Sequence, residues 1–107
     1  PWHRRWRGRM TCVEIRRGSI YLSADAYETY FARVGAVAVL ADGDDLLILP
    51  IRAGGGGMLV KVRNSAGDRV IHAAERLQSL GISFETTATV PAHWDSEASA
   101  LRARLSA

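Results

Sequence analysis

Ala36-Val37-Ala38-Val39-Leu40-Ala41-Asp42-Gly43-Asp44-Asp45-Leu46-Leu47-Ile48-Leu49-Pro50-Ile51 reads as two apolar, β-rich runs around an Asp-Gly turn. That pattern predicts a β-hairpin. The second run, residues 46–51, does not alternate apolar with polar residues. A strand that is apolar on both sides needs cover on both faces, and in a small domain a partner chain is one source of it. Pro50 sets that end of the strand at an edge or at its exit, since proline lacks a ladder donor.

On the N-terminal side, Val13-Glu14-Ile15-Arg16 alternates as a half-buried strand does. Gly18-Ser19 marks a turn or bulge, and Ile20-Tyr21-Leu22 resumes the extended pattern. Ser23 is a good N-cap, and Asp25 falls where a helix dipole favours negative charge. Tyr27, Tyr30, Phe31 and Val34 then form one helical face, with Gly35 as its stop.

Beyond the hairpin comes a run of four glycines, Gly54 to Gly57. No Lys-Ser or Lys-Thr follows, so it is not a phosphate-cradling loop, and a flexible connection is expected. Residues 58–64 predict a strand with Met58, Val60 and Val62 on one side and Lys61 and Arg63 on the other. Asn64-Ser65-Ala66-Gly67 is turn chemistry. Asp68 then caps an expected helix carrying Ile71, Ala74, Leu77 and Leu80. Residues 82–90 alternate cleanly and predict a strand that Pro91 closes. Trp94 is expected to staple a last short helix, capped by Asp95 or Ser96 and carrying Ala98, Leu101 and Leu105.

The expected fold class is therefore α+β: a mainly antiparallel sheet of five or six short strands with two or three short helices, forming a single domain over residues 10–107. No internal repeat is legible.

The chain has 107 residues, which is one core and not two. Its formal charge is +3, but all of that excess sits at one end. Four of the 14 basic residues, Arg4, Arg5, Arg7 and Arg9, precede Met10, while all 11 acidic residues follow it. From Met10 onward 10 basic residues meet 11 acidic ones. Residues 1–9 have no apolar period and no cap, and 13 of the 14 basic residues are arginine, as GC-rich coding favours. The expectation is that Met10 is the start and residues 1–9 are a disordered or non-native leader. The rival is a basic, tryptophan-bearing arm for nucleic acid. No apolar run is long enough for a membrane span and no signal peptide is recognisable, so a cytoplasmic protein without a membrane partner is expected. Cys12 is the one cysteine, which excludes an internal disulfide and Cys-x-x-Cys chemistry.

Residues 13–51 resemble the swapped-hairpin family of AbrB-like regulators, MazE-type antitoxins and MraZ proteins. The shared order is a strand, Gly18, a short strand, a small helix, Gly35, and a hairpin ending in an apolar strand and Pro50. The resemblance implies an intertwined homodimer that offers first-strand arginines, Arg16 and Arg17, to a DNA groove. It departs from the family at Ser23, where proline is common, and at Ala36, where an Asp tends to follow the glycine.

The chemistry-bearing residues are few. Arg16, Arg17, Arg52, Lys61, Arg63 and Arg69 are the candidate DNA or anion contacts; the alternative for each is an ordinary solvated charge. Arg16 and Arg17 would face opposite ways in a regular strand unless Gly18 bulges it. Tyr27, Tyr30, Phe31, Leu47, Leu49 and Ile51 are the candidate partner interface. His72, His93 and Cys12 share no metal-ligand spacing, and no nucleophile stands in recognisable context, so neither metal, cofactor nor catalysis is expected. The reading is a small non-catalytic binding protein, forming a homodimer through the 36–51 hairpin and acting on DNA as a regulator or antitoxin. The alternative is an accessory subunit docking on a larger enzyme; a weaker third is a small enzyme using His72 or His93.

Overall fold

The computed structural model describes residues 11–52 and 55–105. The expected leader, residues 1–9, lies outside them.

The first hairpin forms as its alternation requires. β1 (Thr11–Arg16) and β2 (Ser19–Leu22) pair antiparallel, with Val13, Ile15, Ile20 and Leu22 turned into the core. α1 (Ala24–Tyr30) starts at Ser23, whose hydroxyl accepts from the Ala26 amide at 3.0 Å. It stops sooner than the sequence suggests. Phe31 caps it, fully buried, and Arg33 takes a left-handed φ of 66° ahead of Gly35. β3 (Ala36–Asp42) and β4 (Asp45–Ile51) form the expected hairpin about Gly43-Asp44.

β5 (Met58–Leu59) pairs with β3, and β6 (Lys61–Val62) pairs with β7 (Arg69–His72). α2 (Ala74–Ser79), β8 (Ala88–Asp95) and β9 (Ala100–Arg104) complete the chain. The sheet order is β5-β3-β4-β9-β8-β1-β2-β7-β6, antiparallel throughout. Its two end strands are joined by Val60, whose amide donates to the Gly35 carbonyl at 2.9 Å. The run 58–62 thus changes neighbour from β3 to β7 and nearly closes the sheet into a barrel.

This corrects the expected fold class. Among the described residues, nine strands in a nearly closed barrel-like sheet, with helices of only seven and six residues, replace an α+β domain of five or six strands and two or three helices. Three local readings fail for one reason: strand partners elsewhere in the chain override local pattern. The expected helix after Asp68 begins as β7, because β2 needs a neighbour. The alternating run 82–87 forms no strand. β1 pairs with β8 only up to Ile15↔Ala88 and then turns at Arg17-Gly18, so residues 82–86 have nothing to pair with. Pro91 does not close β8 but lies inside it, opposite Cys12. β9 joins β8 only from Ala92, so the missing donor is tolerated there.

The last expected helix is a strand. Asp95 does act as a cap, but of a turn: its Oδ1 accepts from the Glu97 and Ala98 amides at 3.0 and 3.1 Å. β9 then inserts between β8 and β4, with Leu101 and Ala103 in the core. Trp94 staples α1 and not a final helix. Its ring stacks on Tyr30 at 5.5 Å and meets Phe31 edge-on at 6.4 Å.

The barrel contains a repeat that residue identity hides. Residues 11–51 run strand, strand, helix, strand, strand, and residues 58–104 follow the same path when the bent run β5–β6 is taken as one strand. The halves interleave and meet at four seams: β1 with β8, β2 with β7, β3 with β5 and β4 with β9. Each half's first turn also sits on the other half's helix start. The Ala73 amide donates to Gly18 O at 2.9 Å, and the Ala24 amide donates to Asp68 Oδ1 at 2.8 Å. Asp68 therefore caps α1, across the molecule, and not the helix that follows it in sequence. The ladder neighbours of β4 both come from its own chain.

Candidate functional site

Residues paired across an antiparallel sheet share a face. The outward rows of β1, β2, β7 and β6 can therefore be read from the registers. One row holds Glu14, Tyr21, Val70 and Lys61; the next holds Arg16, Ser19 and His72. A third is extended by Arg63, whose amide donates to Asp68 O at 2.7 Å.

Tyr21 is the centre of this face. The Arg16 guanidinium lies 4.7 Å from its ring centroid and the Arg63 guanidinium 4.5 Å, both within cation–π range. The hydrogen bond to Arg16 pulls the Tyr21 hydroxyl below its ordinary pKa against some desolvation, with help from Ser19 and the charge of Arg63. The same bond, with Glu14 at 3.7 Å, raises Arg16. Ser19 Oγ lies 3.1 Å from His72 Nδ1. The face is wired by polar contacts from Glu14 to His72.

Arg17 occupies the tip of the β1–β2 hairpin. Arg17 and Gly18 have φ of 52° and 82°, the pattern of a type I′ turn. That answers the sequence dilemma: Arg17 is not a strand residue facing away from Arg16 but an exposed turn residue beside it. Lys61 stands two strands from Tyr21 in the same row, about 10 Å away at normal strand spacing. Arg16, Arg17, Lys61 and Arg63 thus share one face with the carboxylates of Glu14 and Asp68.

Arg52 and Arg69 do not join them. Arg52 follows β4, on the other side of the barrel. Arg69 pairs with Leu22, one residue out of the Tyr21 row, and its guanidinium covers the Tyr27 ring at 3.9 Å. The 64–69 segment is a tight turn fastened by Asn64 and Asp68, with Asn64 Nδ2 donating to Asp68 Oδ2 at 3.1 Å. That bond, and then the Ala24 amide, hold the Asp68 carboxyl below its ordinary range.

The interface candidates divide likewise. Tyr27 and Phe31 are buried in the chain's own core, and Tyr30 is occupied by Trp94. Leu47, Leu49 and Ile51 point outward from β4, with Leu47 buried opposite Arg102. Gly57 is no free hinge. A Cβ there would meet Ile51 Cδ1 and the Val37 carbonyl at 2.4 and 2.8 Å. Among the described residues no three His, Cys, Asp or Glu side chains converge as a metal site, and no helix is long and apolar enough to cross a membrane.

Sequence reasoning missed Tyr21, read only as a strand residue, and Arg102, assigned to a helix. Arg102 binds three carboxylates: Nε to Asp95 at 2.9 Å, Nη1 to Asp45 at 2.9 Å and Nη2 to Asp42 at 3.0 Å. Its pKa rises, chiefly through the bond to Asp45. It ties the β3–β4 turn to β8 and β9. The Asp95 carboxyl is held below 3.8, first by the Ala98 amide and then by Arg102. A carboxyl depressed on folding contributes stability above its ordinary pKa and loses it as pH falls through the folded value. Arg102→Gln is therefore expected to lower the melting temperature at neutral pH, with the gap to wild type shrinking below 3.8. Thermal melts across that range check it; a gap independent of pH would remove Arg102 as the anchor.

Compared with protein-family models, with curated proteins and with solved structures, the chain finds no match in any of the three.

Proposed function

We propose that this chain is a small non-catalytic binding protein whose Tyr21 face receives the phosphate backbone of DNA. The observation that carries the reading is the convergence of Arg16 and Arg63, from two separate hairpins, on one half-buried tyrosine, with Arg17 and Lys61 beside them. Arginine planes held against an aromatic ring are preorganised donors for phosphate oxygens. The swapped-hairpin resemblance points the same way, toward a cytoplasmic regulator or antitoxin.

The test is binding of a fluorescent duplex across a salt series. Four phosphate contacts give a slope of log affinity on log salt near −3.6. Arg16→Ala with Arg63→Ala is expected to flatten that slope by about 2 and to weaken binding for any sequence. The comparison with wild type cancels whatever the N-terminal arginines add. Absence of binding at low salt, or an unchanged slope in the double variant, rejects the reading.

The accessory-subunit reading draws on a different observation, the apolar outer side of β3 and β4. It predicts a chain indifferent to DNA and a one-to-one complex with a larger enzyme that survives high salt.

A further inference from the structure

We propose that the open end of the barrel beside the β3–β4 turn binds a small apolar amine, with its hydrocarbon body in a pocket there and its ammonium on Asp44. The pocket shares no residue with the Tyr21 face, so the inference does not rest on the DNA reading.

The pocket exists because two strands run out of neighbours. β5 accompanies β3 only as far as Val37. β8 pairs with β1 only from Ala88 onward, and residues 82–86 precede it with no ladder of their own. A pocket of about 350 Å³ is left between the β3–β4 turn, the end of α2 and the start of β8. That volume lies in the range of small-molecule sites, which are mostly apolar with a few placed polar groups. This wall fits the description. Ile15 and Val90 are buried in it, and Leu80, Ile82 and Leu105 are half-buried.

Charge selects the ligand. The charged residues of the wall are Asp44 and Asp45. Asp45 is already paired, with Arg102 at 2.9 Å and Arg104 at 3.7 Å. Asp44 is exposed, and no hydrogen bond or ion pair among the described residues engages its carboxylate. A neutral acceptor stands near it. The Val39 carbonyl accepts from Arg76 Nε at 2.7 Å, so it faces away from β4. Residues two apart in an antiparallel strand direct their main-chain groups to the same side. The Ala41 carbonyl therefore also faces away from β4, beyond the point where β5 has left. Ala41 lines the pocket as well. An ammonium has donors for both a carboxylate and a carbonyl. An anion would be repelled by Asp44, and a neutral apolar molecule would gain nothing from it.

Titration of the full chain, followed by amide chemical shifts, tests the proposal with three probes of one length: n-hexylammonium, n-hexanol and hexanoate. Hexylammonium is expected to shift the amides of Gly43, Gly81 and Ser83 saturably, since all three residues line the pocket. It should bind roughly two- to fivefold more tightly than hexanol, the worth of a solvent-facing ion pair, and hexanoate should bind least. Shortening the amine should weaken it by roughly three- to fourfold for each methylene lost from the pocket. Asp44→Asn should bring the amine down to the alcohol and leave the alcohol unchanged, which a general loss of fold would not do. Ala88→Leu, which fills the pocket from its wall, should weaken both. Shifts that never saturate or that map elsewhere, an affinity indifferent to chain length, or an amine preference that survives Asp44→Asn each overturns the proposal. DNA binding by the Asp44→Asn variant is expected to match wild type, so either reading can fail without the other.

Discussion

Gly18→Ala is expected to cost the fold about 2–4 kcal/mol, the sum of a backbone and a packing penalty. Gly18 sits at φ 82°, where an L-residue loses about 1–2 kcal/mol. A Cβ there would stand 2.5 Å from Ala74 Cβ and 2.9 Å from Ala74 Cα, at the start of α2. The clash involves a helix backbone that also bonds to Gly18 O through Ala73, so neither side can give way cheaply. Gly43→Ala separates the two terms. Its φ is 60°, yet nothing lies within 4 Å of its added methyl, so it should cost only about 1 kcal/mol. Urea unfolding followed by circular dichroism gives both values. If the two variants lose equal stability, the β1–β2 turn is not seated on α2, and the contact between the halves at that point is absent.

That contact shows where sequence reading succeeds and where it stops. The hairpins 13–22 and 36–51 are legible because their signals are local: alternation, Asp-Gly, and Ser23 before an apolar helical face. The run 58–64 is legible only in part: Leu59 and Lys61 are exposed as the alternation requires, but Val62 is exposed as well, and the expected strand is split at Val60 into β5 and β6. What the pattern lacks is partner identity. Residues 82–87 have the cleanest strand signal in the chain and form none, because β1 has already turned away. Residues 100–104 are favourable for a helix and yet form a strand, because β4 and β8 leave a slot between them. The site follows the same rule. Arg16 and Arg17 stand out in the sequence, but Tyr21 gains its meaning only when β6 brings Arg63 across β7 to its ring. The internal repeat escapes for a related reason. The repeated quantity is the path of the chain, while equivalent positions carry unlike residues, Gly18 in one turn and Asp68 in the other.

The second large effect is expected at the β4–β9 seam, where Ile48 faces Leu101 and both are fully buried. Ile48→Ala and Leu101→Ala should each cost about 2–5 kcal/mol, the transfer of the lost methylenes plus the cavity left behind. The side chains adjoin, so the double variant should depart from additivity by about 0.5–3 kcal/mol. The form of the transition carries the sharper information. If the halves make one barrel, the seams between them have no independent existence. Weakening β4–β9 must then lower the same single transition that Ile71→Ala lowers at the β2–β7 seam, where Ile20 faces Ile71. A chain of this length with one core should unfold in one step. Calorimetry of Ile48→Ala and Ile71→Ala, alone and combined, decides the matter. Two resolved transitions in either variant would mean that residues 11–51 and 58–104 are separate units resting on each other, and the nearly closed barrel would have to be given up.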